Sequence, residues 1–572
     1  MFLGLEIADF LVLTIYLVLI TLLGAWAGHG AKNVSEFFMP RRFGKLMMLM
    51  NAFGTGTASD QAVTVASATY RSGLSGIWYQ WLWLFVTPFY WLIAPLFRRF
   101  RAVTTAEVYE LRFDRSVALL FAIVGIASLA VKIGVLLRGT GALMEACTGA
   151  SVSTHMAIVA TAIMFVVYGT AGGLSGAIVT DFVQGFLTLF FSFILLPFVL
   201  AEVGWIAGVK DTINDPAMMS LVAPGKITWF FVIMMAVQAL VGIVAQPFIM
   251  GICGAGKTEF EGRVGMVAGN FVKRICTMAW SITAIAGVAW YMQSGATMES
   301  IDPDTLYGNL AQAFLPQLAP GVLGLFLAAM LAAVMSSCDA FMLSSAALFT
   351  QNVYRPMRAG QTESHYLLVG RVAGIFVVVG GILFALWVPN VIKALEIWFM
   401  IAPMMGIAFW LGLFWRRLSV AGAWASTLAG FATWYVTTRS GFIAAVAGLP
   451  QADTLRLVWE AKGGLEIYLP WQILMYMTAA ILAGIIVSLI TRPVSNEKLR
   501  RFYDLTRTPV QPGEEIVNSC ELPAGVAPAQ RRMLTTALGL EVPMPSQTSW
   551  LGFSAGWLGV AVIMLLYVTI WR

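Results

Sequence analysis

Residues Asn51–Tyr70 read NAFGTGTASDQAVTVASATY. They lie in a run over 47–70 that is long enough to cross a bilayer, yet Gly54, Thr55, Gly56, Thr57, Ser59, Asp60 and Gln61 crowd its middle. Hydrocarbon solvates neither an open peptide group nor a carboxylate. Such a span is expected to be interrupted there, with its polar groups facing protein, water or an ion. An interruption frees carbonyl oxygens at mid-depth, and these are ligands for Na⁺. Gly54 and Gly56 alone would suit close helix packing equally well. Together with Thr57, Asp60 and Gln61 they favour a break.

A second interruption is expected in the seventh apolar run, where AVQALVGIVAQPFIMG (Ala236–Gly251) carries Gly242 and Pro247. The two interrupted spans stand five apart in the order of spans, as two inverted five-helix repeats would place them.

A further polar intrusion is LAAVMSSCDAFMLSSAALFT (Leu331–Thr350), which sets Ser336, Ser337 and Asp339 in the middle of a membrane helix. Adjacent helical residues point about 100° apart, so both hydroxyls can touch one ion. Asp339 follows Ser336 by three residues and shares its face. A lone serine pair would more often bond back to the preceding turn. Asp181, in GGLSGAIVTDFVQG, is a second buried carboxylate. Both aspartates are read as handling a second cation or a proton, against the alternative of structural ion pairs. The latter is favoured for Lys132, Arg138 and Arg371.

The rest of the chain agrees with this all-α, polytopic membrane reading. It has 572 residues, 59% hydrophobic and 11% charged, at mean hydropathy +0.81. About fourteen helices are expected, near 7–28, 47–70, 74–97, 116–146, 152–169, 174–202, 228–251, 263–292, 321–352, 366–388, 392–415, 418–438, 470–491 and 550–571. These divide the chain into residues 1–46 (the first span and a loop), a first repeat over 47–202, a second over 228–415 and two further helices over 416–491. An irregular, Pro-rich cytoplasmic linker over 492–549 and a last helix over 550–572 follow. The first run, Ile7–Gly28, lacks a basic flank and reads as a retained span. Basic residues gather in the loops after odd-numbered spans, among them Lys32, Arg41, Arg42, Arg98, Arg99, Arg101, Arg416 and Arg417. The positive-inside rule then puts both termini outside a cell membrane, against which Arg439, Arg456 and Lys462 count.

The net charge of +6 sits mainly in loops and suits membrane orientation rather than nucleic-acid binding. Five cysteines show no metal spacing, and His29, His155 and His365 fall near span ends. No nucleophile–base pair is evident, so an enzyme is not expected.

At these residues the chain resembles the sodium:solute symporter family over roughly residues 5–490, nearest its sodium–sugar and sialic-acid members with fourteen helices. Three blocks carry the likeness: YGTAGGLSGAIVTDFVQ (Tyr168–Gln184), LAAVMSSCDAFMLSSAALFTQNVYRP (Leu331–Pro356) and WLGLFWRR (Trp410–Arg417). The resemblance implies the LeuT-type fold of two inverted repeats, working by alternating access with Na⁺ as coupling ion. It implies a sodium site from carbonyls of Gly54, Thr57 and Ala333 and hydroxyls of Ser336 and Ser337. Some members hold a second sodium beside the aspartate matched by Asp181; here Asp339 and Ala340 replace the usual hydroxyls. Gln61, Lys273 and Glu396 match polar residues of the sugar branch, Gln80 replaces its glutamate, and Asp60 stands beside Gln61. These five are the candidate contacts for a small polar solute (a sugar, a carboxylate or an amino-acid-like molecule), with the bilayer as surroundings and no obligatory protein partner. A proton-coupled symporter and a membrane sensor on the same scaffold are the alternatives.

Overall fold

The computed structural model describes residues 3–28, 37–39, 41–223, 225, 227–295, 301–461, 464–511, 513–514, 516 and 518–572, without the side chains of residues 25, 27–28, 168–173 and 175. Lys32, Lys462 and His29 lie outside the described residues. The chain folds as α1 (Ile7–Gly28), α2 (Lys45–Gly56), α3 (Ser59–Ser72), α4 (Thr87–Arg99), α5 (Arg115–Cys147) and α6 (Thr154–Val203). The series continues with α7 (Trp229–Ile243), α8 (Phe248–Gly254), α9 (Glu259–Gln293), α10 (Val322–Ala347), α11 (Glu363–Trp387) and α12 (Val391–Phe414). It closes with α13 (Val420–Thr437), α14 (Leu469–Ile490), α15 (Asn496–Arg507) and α16 (Gln547–Ile570).

Both interruptions are present. Between α2 and α3, Thr57 and Ala58 are extended, at φ −131°, ψ 110° and φ −138°, ψ 171°. Between α7 and α8 the chain bends by 71° across Val244–Pro247. Pro247 stands just before α8, where its missing N–H costs nothing. Gly242 belongs to the last turn of α7 and lies against Pro403 of α12.

Among the described residues nine helices are long and apolar enough to span a membrane, or ten when α7 and α8 count as one. The other expected crossings are broken, short or mixed in composition. Residues 74–97 form no single helix: a 3₁₀ turn (Gly73–Ile77) and one turn of α-helix (Trp78–Trp81) precede α4. The expected spans 152–169 and 174–202 share one helical element, α6, of 50 residues. Unbent, it would reach about 75 Å, more than twice the hydrocarbon core. Contacts with three other helices mark its course. Thr154 bonds Glu145 near the end of α5, Gly176 packs on Gly24 near the end of α1, and the Val203 carbonyl accepts from Gln293 at the end of α9.

The linker over 492–549 is not irregular throughout. It holds α15, capped by Ser495, whose apolar residues Leu499, Phe502 and Tyr503 are buried. A small antiparallel pair, β3 (Met533–Thr535) with β4 (Val542–Pro543), follows; the hairpin β1 (Val458–Ala461) and β2 (Gly464–Ile467) precedes α14. Bidentate Arg101–Glu514 contacts and Arg416–Glu541 tie this segment to the helix ends at the arginine-rich face.

One close approach positions the site. A Cβ on Gly265 or Gly269 of α9 would stand 2.8 Å from the carbonyl of Met48 or Leu49, so α9 lies directly on the backbone of α2. This brings Lys273, one turn further along α9, to the end of α2.

Candidate functional site

The break in the second span faces α10. The Ser337 hydroxyl donates to the Gly54 carbonyl at 3.2 Å, across 283 residues of chain. The same carbonyl accepts the Thr57 N–H at 3.1 Å. The Thr57 hydroxyl is buried with no hydrogen-bond partner. Ala333 is buried on α10 one turn before Ser336 and Ser337. The two distant stretches named from the sequence are therefore in contact, and their oxygen-bearing groups are shielded from bulk water and lipid.

Asp181 of α6 closes the cluster. Ser336 donates to its Oδ1, and the Thr55 hydroxyl lies 3.4 Å from its Oδ2 and 3.5 Å from Asn51 Oδ1. That hydroxyl has one proton for the two acceptors. Asp339, one turn beyond Ser336, is buried with no partner for its Oδ1. An ionised carboxylate oxygen left so is costly to bury.

A second polar centre lies beyond the break. Gly56, the last residue of α2, offers its carbonyl to Gln61 Nε2 at 2.5 Å and to Lys273 Nζ. A cavity of about 60 Å³ opens here, lined by Gln61, Gln80, Lys132, Lys273, Arg274 and Ser337 among others. Trp83, Trp398 and Phe399 form an aromatic wall, with ring centroids 6.4 and 6.2 Å from Trp83. The space has room for a few waters and is too small for an organic solute in this conformation.

Three of the five expected solute contacts, Gln61, Gln80 and Lys273, line the cavity, and two do not. Asp60 is held by Lys132 at 3.2 Å, with Lys132 Nζ also 4.5 Å from the Trp398 ring centroid. Glu396 accepts from the Tyr79 hydroxyl at 3.0 Å and stands 4.0 Å from Lys393. Missing from the sequence-based set are Thr55, which touches Asp181, Asn51, which touches Thr55, and Arg274. Thr55 stood in the polar run at the break; Arg274 gave no signal beyond being a charge within a span. Its Nη1 donates to the Gln80 carbonyl, while Nε and Nη2 are buried without partners. Among the described residues no carboxylate lies within salt-bridge distance of Lys273 or Arg274. The cavity thus has a surplus of cations, with Asp60 already paired.

The model of the sodium:solute symporter family matches residues 37–430. The chain is similar to the osmoregulated proline transporter OpuE of Bacillus subtilis, at 24% identity over 86% of this chain and 96% of the relative. It is similar to the sodium/glucose cotransporter of Vibrio parahaemolyticus, at 25% identity over 73% of this chain and 83% of the relative. Among solved structures, a Na⁺-coupled sialic acid symporter superposes with TM-score 0.69 at 17% identity, covering 86% of this chain and 99% of the other. That likeness establishes the LeuT-type fold of two inverted repeats. The family match spans most of the chain and takes in both breaks, α10 and the polar cavity: this protein belongs to the sodium:solute symporter family.

Proposed function

We propose that the chain is a sodium-coupled symporter that imports a small polar organic solute bearing a carboxylate, by alternating access. The contact of the Ser337 hydroxyl with the Gly54 carbonyl at the helix break carries the sodium assignment. Ser336 and Ser337 keep their protons and turn oxygen lone pairs to Na⁺, and the carbonyls of Gly54, Thr57 and Ala333 complete about five ligands. Binding there fixes α2 against α10, and α2 ends in Gly56, the carbonyl on which Gln61 and Lys273 converge. The ion and the solute are thereby coupled, and each raises the affinity of the other by the same factor.

The cation surplus at Lys273 and Arg274 supports a carboxylate on the solute. Proline and sialic acid, named for two similar proteins, carry one; glucose, named for the third, does not. Orientation by the positive-inside rule puts both termini outside and the arginine-rich face in the cytoplasm. A thermal-shift screen of carboxylates, sugars and amino acids, each in Na⁺ and in K⁺, tests the assignment. A carboxylate that stabilises the protein in Na⁺ alone is expected. Equal stabilisation in both salts would remove sodium coupling, and a response confined to neutral sugars would remove the carboxylate.

The unpartnered Oδ1 of Asp339, near Asp181, favours a second reading in which a proton is the driver. Uptake into sodium-free vesicles under an imposed pH gradient separates the two.

A further inference from the structure

A large cavity lies apart from the polar one at the helix break. It measures about 530 Å³ and sits among α4, α7, α12 and α14, roofed by the segment after α15. Its deeper wall is apolar and includes Leu92, Leu96, Leu240, Met477 and Ile481. Ile481 is exposed on the outer surface of the helix bundle, so the cavity borders the lipid. Along α4 the lining runs from Phe89 to Arg99, about 15 Å at 1.5 Å per residue. That is half of a hydrocarbon core of about 30 Å, or the depth of one leaflet.

The other end is cationic. Arg99, Arg263, Arg507 and Arg531 line it, with Glu541 as the carboxylate among the lining residues. Glu541 is already engaged by Arg416 and Arg507, and Arg99 by Glu259 at 2.7 Å. Arg263 touches the Ser549 hydroxyl at 3.4 Å and the face of Trp91, and Arg531 donates to the Arg507 carbonyl at 3.0 Å. Among the described residues neither has a carboxylate within salt-bridge distance. Burial and the neighbouring Arg99 hold the Arg531 guanidinium below the usual arginine range. The roof itself turns apolar side chains outward: Leu534 and Met544 are exposed and Leu538 is 90% exposed. Such residues beside arginines suit the boundary between headgroups and acyl chains.

The geometry points to a built site for one anionic glycerophospholipid, its phosphate between Arg263 and Arg531 and an acyl chain along Leu92, Leu240 and Met477. A basic pocket between membrane helices at the arginine-rich face is the kind that holds such headgroups. The one-leaflet depth of the apolar wall argues for a lipid over a small soluble anion. Leu240 lies in the last turn of α7 before the 71° bend, so an occupant would brace the helix next to its break.

The test uses the purified, delipidated full chain in neutral detergent. Thermal stabilisation is measured with phosphatidylglycerol, with phosphatidylcholine of the same acyl chains, and with glycerol 3-phosphate. Phosphatidylglycerol is expected to stabilise most and glycerol 3-phosphate not at all. Arg531→Gln, in the half-exposed roof, is expected to weaken the phosphatidylglycerol response by about tenfold in midpoint while leaving the phosphatidylcholine response unchanged. Arg263→Gln should act alike, and where it fails to fold Arg531→Gln decides. An acyl-chain photo-cross-linking phosphatidylglycerol should label peptides of α4, α7 or α14. Equal responses to the two lipids, a full response to glycerol 3-phosphate, an unaltered Arg531→Gln, or labelling confined to other helices would each overturn the site.

Discussion

Replacing Ser337 by alanine tests the sodium site most directly. Without sodium the change removes a hydrogen bond of 3.2 Å, worth about 1 kcal/mol. The Gly54 carbonyl keeps its bond from the Thr57 N–H, so no buried acceptor is orphaned and the fold should survive. With sodium the change removes one of about five ligands from a cation. Contacts to charged groups are worth about 1.5–3 kcal/mol, so the ion should bind at least tenfold more weakly. The readout is stabilisation by sodium at constant ionic strength, with potassium as the balance. At free sodium ten times the dissociation constant, a single site adds about 1.4 kcal/mol; a tenfold weaker site adds about 0.4 kcal/mol. The variant should therefore show less than a third of the response at that concentration and recover it when sodium is raised tenfold. Ser336→Ala should do the same and also free Asp181. Ser345→Ala is the control, since that hydroxyl bonds back to the Phe341 carbonyl at 2.8 Å and its loss should leave the sodium curve in place. Sodium curves that coincide for the parent, Ser336→Ala and Ser337→Ala would refute the site.

Asp60→Asn should cost about 3–5 kcal/mol, because it leaves Lys132 a buried cation against Trp398; Asp60→Asn with Lys132→Met should recover part of that, as read by thermal denaturation. Gly406→Ala would put a Cβ 2.0 Å from the Val241 carbonyl and force α12 off α7; a loss of about 1–3 kcal/mol and of monodisperse protein on size-exclusion chromatography is expected. Docking of the roof segment should depend on acid. Burial raises the Glu514 carboxyl, but hydrogen bonds from Arg101 and the Gln511 N–H outweigh it and leave it below the usual range. A folded pKa below the unfolded one contributes stability that is complete above the unfolded value, about 4.3, and is lost as pH falls through the folded value. Hydrogen exchange over the described residues 508–516, corrected for intrinsic rate, should be protected at pH 6 and lose protection below about pH 4; a flat profile would disprove the coupling.

How much of this was legible follows from the range of the interaction concerned. The break between α2 and α3 is written locally: glycines of low helix propensity and a β-branched threonine sit where hydrocarbon demands a closed backbone. Pro247 marks the second break for the same local reason, whereas Gly242 serves a contact with Pro403, on a helix 161 positions away, and the two cannot be told apart from their neighbours in sequence. Helix α15 did carry its signal, a serine cap followed by Leu499, Phe502 and Tyr503 on one stripe, but within a segment whose prolines and charges read as a linker. The expected single helix over 74–97 shows the reverse failure, in which apolar composition persists while the backbone turns, whereas the separate spans expected over 152–202 share one helical element.

Charges show the limit most sharply. Hydrocarbon makes each of Asp60, Lys132, Lys273 and Arg274 expensive, and that much follows from position in a span. Composition cannot say which of them neutralise each other. Among the described residues, packing assigns Lys132 to Asp60, gives Lys273 the Gly56 carbonyl as its hydrogen-bond acceptor and leaves two nitrogens of Arg274 without one. Had Asp60 paired with Lys273, Lys132 would be the lysine left over, so the pairing decides where the spare charge sits in the cavity and not its sum. Because α9 is drawn onto the backbone of α2 through Gly265 and Gly269, Lys273 meets the end of that helix instead. The proposed carboxylate of the solute answers the positive charge that this leaves at Lys273 and Arg274. Lys273→Met should therefore abolish the Na⁺-dependent response to the carboxylate found in the screen while leaving the sodium curve without solute in place; a preserved carboxylate response would show that the surplus charge serves the fold and not the solute.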